Sequence, residues 1–242
     1  MRVGLFATCL ADTVRPNVAS AALALLEQAG CTVSVPSQSC CGQPAYNGGE
    51  RELAQRLAWQ VVSSFQDVDY VVLPSGSCAA MMRVHYPRLF EGDPRLAAVE
   101  AFADRVHELS DFLVSVAQYV PNAAFDGTVT YHDSCSGLRE LGVKAQPRQL
   151  LAGVSGLKLV EAAGAEQCCG FGGTFSVKFP EVSCMIADKK CADLVATGAK
   201  TWVGGDLGCL LHLEGRLRAQ GRGDTQLVHF AEILAGTANE KS

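Results

Sequence analysis

Short apolar runs alternate with longer amphipathic stretches along this chain. Residues 3–6, 70–73, 129–131 and 201–203 are brief, apolar and rich in β-branched and aromatic side chains, and they read as buried strands. Residues 17–29 carry apolar positions at helical spacing and close on Gly30, and residues 50–65 repeat that pattern. Strands at 31–35 and 157–160, a helix near Arg148 and another over 181–197 complete the set. Strands alternating with helices of this length predict an α/β fold built from βαβ units with parallel sheets.

The alternation occurs twice, and the cysteines set the two copies in register. The first copy carries Cys9, Cys40-Cys41-Gly42 and Cys78, and the second Cys135, Cys168-Cys169-Gly170 and Cys209. Separations are 31 and 37 in the first (40 − 9, 78 − 41) and 33 and 40 in the second (168 − 135, 209 − 169). Two tandem, pseudo-equivalent units are expected, over 1–120 and 121–242, with the seam in residues 118–127 at Pro121 and Gly127. In parallel sheets the carboxyl ends of the strands form the ligand crevice. All eight cysteines are expected in loops after strands, each tetrad converging on one such edge.

Composition narrows the function. At 242 residues and 48% hydrophobic content, the chain can bury a sizeable core. A net charge of −5 without a basic cluster argues against a nucleic-acid partner. No apolar run approaches the roughly 18–20 residues of a transmembrane segment, and residues 3–8 are shorter than the ~7–15 of a signal peptide's apolar region. The expected location is therefore cytoplasmic. Eleven cysteines in a reducing compartment point to metal binding or catalysis rather than disulfides.

Four thiolates from several loops suit an iron–sulfur cluster. Adjacent cysteines can place two sulfurs on neighbouring metal atoms, unlike the CxxC chelation of one zinc. Gly42 and Gly170 let the backbone come close and aim N–H groups at the cofactor. Cys78 and Cys209 are expected to open helices running from Ala79 and Leu210, whose N-termini favour thiolate. Cys31, Cys184 and Cys191 read as core residues. Zinc is the alternative, because His132 precedes Cys135 by three residues and His85 and His212 follow Cys78 and Cys209, giving a Cys₃His set. His107 and His229 carry no local signal. Residues 170–173 and 46–49 read as loops wrapping the cofactor. There is no P-loop, GxGxxG, GxSxG or HExxH pattern, and no flavin or nicotinamide site is identified. Electrons must then enter from another protein, expected to dock at the loops over 74–78 and 204–209.

With these motifs the chain resembles the CCG-type cysteine-rich domain family in two tandem copies. That family includes the B subunit of heterodisulfide reductase and iron–sulfur subunits of glycolate-, glycerol-phosphate- and lactate-oxidising systems. The resemblance implies [4Fe–4S] clusters, one per half, held by Cys9, Cys40, Cys41 and Cys78 and by Cys135, Cys168, Cys169 and Cys209. It also implies an electron-transfer subunit of a cytoplasmic L-lactate-oxidising complex, with other subunits of a lactate- or glycolate-oxidising assembly as partners. A thiol/disulfide redox subunit is the alternative. Family members often end each copy in CxxC. Here Ser75 and Asp206 stand at the first position of that pair, which leaves four thiolates per site and makes an oxygen donor from Asp206 an expectation. The ferredoxin-like CxxCxxC stretch of the glycolate and glycerol-phosphate subunits is absent.

Overall fold

The computed structural model describes residues 1–238; residues 239–242, the end of the expected second unit, lie outside the described part. Strands β1 (Arg2–Leu5), β2 (Thr32–Ser34), β3 (Tyr70–Leu73) and β4 (Val106–Glu108) form one sheet in the order β2-β1-β3-β4. Strands β5 (Ala124–His132), β6 (Ser155–Leu159), β7 (Thr201–Gly204) and β8 (Gln226–His229) form the other, in the order β6-β5-β7-β8. Every pairing is parallel, so the protein is an α/β fold with two similar halves. Among the described residues no helix is long and apolar enough to cross a membrane.

The strands that read most clearly in the sequence are those buried on both faces. Val71, Val72 and Leu73 of β3 and all four residues of β7 are buried, and such strands are continuous apolar runs. At the edges, β2 and β6 are largely exposed. In each half the chain leaves the first strand to one side and then crosses to the other, so a topological switch point lies between β1 and β3 and another between β5 and β7. The crevice of an open parallel sheet forms at such a point.

The halves are packed on one another. One hydrophobic cluster unites Val3, Leu5 and Leu25 with Tyr131, Val203 and Phe230. Helix Pro16–Gln28 lies against helix Phe230–Leu234, and helix Gly76–Ala80 against helix Cys135–Leu141.

Several local expectations change. Residues 43–48 form a helix rather than a loop, opened by Gly42 at φ +82°. The helices expected from Ala79 and Leu210 begin earlier, at Gly76 and Leu207, because Ser75 and Asp206 cap them. Part of the expected seam, from Ala124 onward, belongs to β5 and carries a register shift against β6.

Candidate metal centres

Each tetrad gathers at its switch point. Cys9 begins the helix after β1, and Cys78 lies in the first turn of the helix after β3. Cys135 and Cys209 hold the same places after β5 and β7. Only the adjacent pairs, Cys40-Cys41 and Cys168-Cys169, sit in loops; Cys78 and Cys209 lie in helix first turns, in keeping with the helices expected there, while Cys9 and Cys135 begin helices in place of the expected loops. There the helix N-termini would offset the negative charge of metal-bound thiolates.

The thiols touch in series. In the first half Cys9 contacts Cys40, Cys40 contacts Cys41, and the Cys41 and Cys78 sulfurs are 3.4 Å apart. In the second, Cys135 contacts Cys168, Cys168 contacts Cys169, and the Cys169 and Cys209 sulfurs are 3.0 Å apart. All eleven cysteines are free thiols. Hydrogen bonds from Cys41 and Cys9 push the Cys40 thiol down to about 2, and bonds from Cys135 and Cys169 push Cys168 down to about 2. Giving up those bonds, with burial added, drives Cys9, Cys41, Cys135 and Cys169 upward. Clustered, buried thiols that raise one another's hold on their protons are a donor set that a cation would stabilise by replacing those protons.

The backbone closes over each set. Gly42 and Gly170, at φ +82° and +88°, direct their N–H groups at the Cys40 and Cys168 sulfurs from 3.5 and 3.3 Å. A Cβ on Gly170 would lie 2.5 Å from the Ser183 carbonyl oxygen, so this turn admits only glycine. The Phe171 N–H adds a contact of 3.5 Å to the Cys169 sulfur. The Tyr86 hydroxyl donates to the Cys41 carbonyl at 2.8 Å, and the Ser183 hydroxyl to the Gly170 carbonyl at 2.8 Å. Soft thiolates, inward N–H groups and helix N-termini fit an iron–sulfur cluster in each half.

Asp206 does different work from a ligand. One carboxylate oxygen accepts from Gly208 N–H at 3.1 Å, and the other from the Ser75 hydroxyl at 3.1 Å and Ser77 N–H at 2.9 Å. It caps one helix and binds the two halves together, while Gly76 N–H reaches the Gly205 carbonyl at 3.3 Å. The expected oxygen donor is therefore already engaged. For the same reason the loops at 74–78 and 204–209 are interior, not an exposed docking edge.

Of the histidines weighed as donors, His132 is the one grouped with two thiols at ligand spacing among the described residues. Its ring lies within 4.8 Å of the Cys169 and Cys209 sulfurs. Burial and the nearby Lys190 push it down to about 3, so it is a neutral imidazole. His85 pairs with Glu140 at 2.5 Å, and His212 with the Ser183 hydroxyl at 3.1 Å. Cys31 and Cys191 are buried and Cys184 is half-buried. Lys190 was not legible as a site residue. It is fully buried, its ammonium donating to the Gly164 and Ala165 carbonyls at 2.6 and 2.9 Å, just before the Cys168-Cys169 pair. Each site keeps an open side. A cavity of about 240 Å³ adjoins Cys9 and Cys40, and one of about 270 Å³ at the seam is lined by Tyr46, His85, Glu140, Cys135, Cys168 and Cys209.

A duplicated parallel sheet with a thiol tetrad at each switch point defines a tandem cysteine-rich cradle. The Cysteine-rich domain, CCG, matches residues 3–83 and again 129–214. The chain belongs to this family and carries two copies of its domain. Among curated relatives, Lactate utilization protein A of Exiguobacterium sp. (strain ATCC BAA-1283 / AT1b) is 45% identical over 237 residues, spanning 96% of each chain. Lactate utilization protein A of Bacillus subtilis (strain 168) is 44% identical, spanning 97% of this chain and 99% of its own. A hypothetical protein from Helicobacter pylori, known from its crystal structure, superposes with a TM-score of 0.71 over all of this chain and 49% of its own. At 11% identity that likeness is one of fold.

Proposed function

We propose that this chain is an iron–sulfur electron-transfer subunit of a cytoplasmic system that oxidises L-lactate, and that it works only with partner subunits. The observation that carries the reading is the repeated convergence of four thiols on a sheet switch point. Relatives named for lactate utilisation over nearly their whole length support the substrate. Bound clusters would supply one-electron transfer. Cys9, Cys40, Cys41 and Cys78 would hold one, and Cys135, Cys168, Cys169 and Cys209 the other. Gly42 and Gly170 steady the paired cysteines, and the helix N-termini offset the negative charge of the thiolates.

Removing two electrons and a hydrogen from a 2-hydroxy acid is ordinarily work for flavin or nicotinamide, and no pattern for either is identified in the sequence. A partner would then bring the lactate chemistry. The exposed apolar side chains Val177, Phe179, Val182 and Met185, following the 168–173 loop, offer a contact surface beside the second tetrad. The test is lactate-dependent dye reduction under anaerobic conditions. None is expected from the purified chain, and activity is expected on adding the partner subunits. Sustained lactate oxidation by the isolated chain would make it the catalyst and overturn the carrier reading.

A further inference from the structure

The two copies can be aligned residue by residue near their thiols. His132 and Phe6 each stand three residues before the first cysteine of their copy (135 − 132 and 9 − 6). Phe6 packs on Phe65, an ordinary apolar contact. His132 is 1% exposed, and among the described residues neither ring nitrogen has a hydrogen-bond partner. A buried polar atom left unsatisfied is costly, so an orphaned imidazole in a well-packed interior needs a ligand to explain it. The neighbours in reach are sulfurs: a ring nitrogen and the Cys169 and Cys209 thiols lie within 4.8 Å of one another. A metal atom sits about 2.0–2.3 Å from nitrogen and sulfur donors, and so can bridge such a group.

The geometry points to His132 as a ligand to one metal atom of the second centre, beside Cys169 and Cys209, while the first centre is held by thiolates alone. This rests on the reading that each tetrad holds a metal centre. The packed helices carry a second difference of the same sign. A Cβ on Gly42 would meet Ala54 and Leu57, and one on Gly170 would meet Ser183 and Ile186, which aligns the helices at an offset of 129 (183 − 54 and 186 − 57). Lys190 then corresponds to Val61, and both are fully buried. With His132 in the set, one of the four thiols of the second tetrad gives up its place at the metal. Nitrogen in place of sulfur raises the potential of an iron–sulfur centre, and the buried Lys190 side chain, 4.0 Å from the Asp193 carboxylate, favours the form with the added electron where Val61 does not. The second centre is therefore the higher in potential, and electrons within the chain run from the first to the second.

The experiment is pulsed electron paramagnetic resonance on the full chain, reconstituted anaerobically and grown with ¹⁵N-histidine. One of the two reduced centres should show the strong nitrogen coupling of a directly bound imidazole. His132→Phe should abolish that coupling and leave the other centre's signal unchanged. At fixed potential it should also lower the reduced-to-oxidised ratio of the second centre by about tenfold. Absence of coupling in the unmutated protein, or only the weak coupling of a hydrogen bond, would overturn the assignment even if the variant failed to fold. Zinc without sulfide would end the electron-transfer reading but still decide His132. X-ray absorption at the zinc edge would then support the assignment with a nitrogen at about 2.0 Å, or overturn it with sulfur alone.

Discussion

Around the first tetrad the neighbours are Phe6, Ala54 and Val61, and around the second the corresponding residues are His132, Ser183 and Lys190. The parts that gather the thiols are the same in both: a switch point, two helix N-termini, adjacent cysteines and a glycine at positive φ. The two halves thus share the parts that gather the thiols and differ in the electrostatics around them. On the proposed reading, a thiol set repeated twice, with Phe6, Ala54 and Val61 about it once and His132, Ser183 and Lys190 once, would serve two steps of one electron path.

The largest expected effect tests whether the halves bind independently. Cys41→Ala and Cys169→Ala should each remove about half of the iron and of the visible absorbance, while Cys31→Ala and Cys184→Ala leave both intact. Iron analysis of the four variants checks this, and equal loss in all four would mean the tetrads are wrongly drawn. Next is the seam. Asp206→Ala strands three donors, the Ser75 hydroxyl and the Ser77 and Gly208 N–H groups, and should cost about 4 kcal/mol in urea unfolding. Ser75→Ala removes a cap from Cys78 N–H and one of those donors, and should cost only about 1–2 kcal/mol.

The ends of β4 and β8 offer a comparison by pH. Burial pushes Glu108 up to about 7 and His229 down to about 4. The folded state holds the Glu108 proton more tightly than the unfolded one, so this group's stabilisation is present below pH 4.5 and is lost as pH rises through 7. His229 resists protonation when folded, so its contribution is present above pH 6.5 and is lost as pH falls through 4. The two slopes oppose each other over nearly the same window. Relative to the parent, Glu108→Gln should remove a fall, and His229→Gln a rise, each of about 3 kcal/mol. Denaturant unfolding from pH 4 to 8 measures both, and parallel profiles for parent and variants would contradict the burial argument.

The smallest effect concerns the residues before Cys9 and Cys135. Thr8 is held at φ 58°, ψ 146°, a region essentially reserved for glycine, whereas Ser134 caps its helix from a relaxed φ −68°, ψ 138°. Thr8→Gly should relieve strain at the loss of a modest cap and stabilise the chain by about 1 kcal/mol, while Ser134→Gly should not. Thermal unfolding distinguishes them.

The sequence was most legible where burial is two-sided or a pattern repeats. The apolar runs of β3 and β7 announced themselves, as did both tetrads, because cysteine spacing survives duplication. Strand β4, Val106-His107-Glu108, was hidden because three mixed residues carry no period. The early helix starts were signalled by Ser75 and Asp206 ahead of the cysteines, which suit N-caps, but their link across the halves joins residues 131 apart and needs the fold to be seen. His132 could be named from spacing alone. Its isolation could not, since that depends on the fold burying both ring nitrogens without a hydrogen-bond partner among the described residues.

The central claim, one iron–sulfur cluster in each half, is tested most directly by metal and sulfide analysis of protein purified without oxygen. Two clusters of the [4Fe–4S] type predict about eight iron and eight acid-labile sulfide per chain. Stoichiometric zinc with no sulfide would contradict the account.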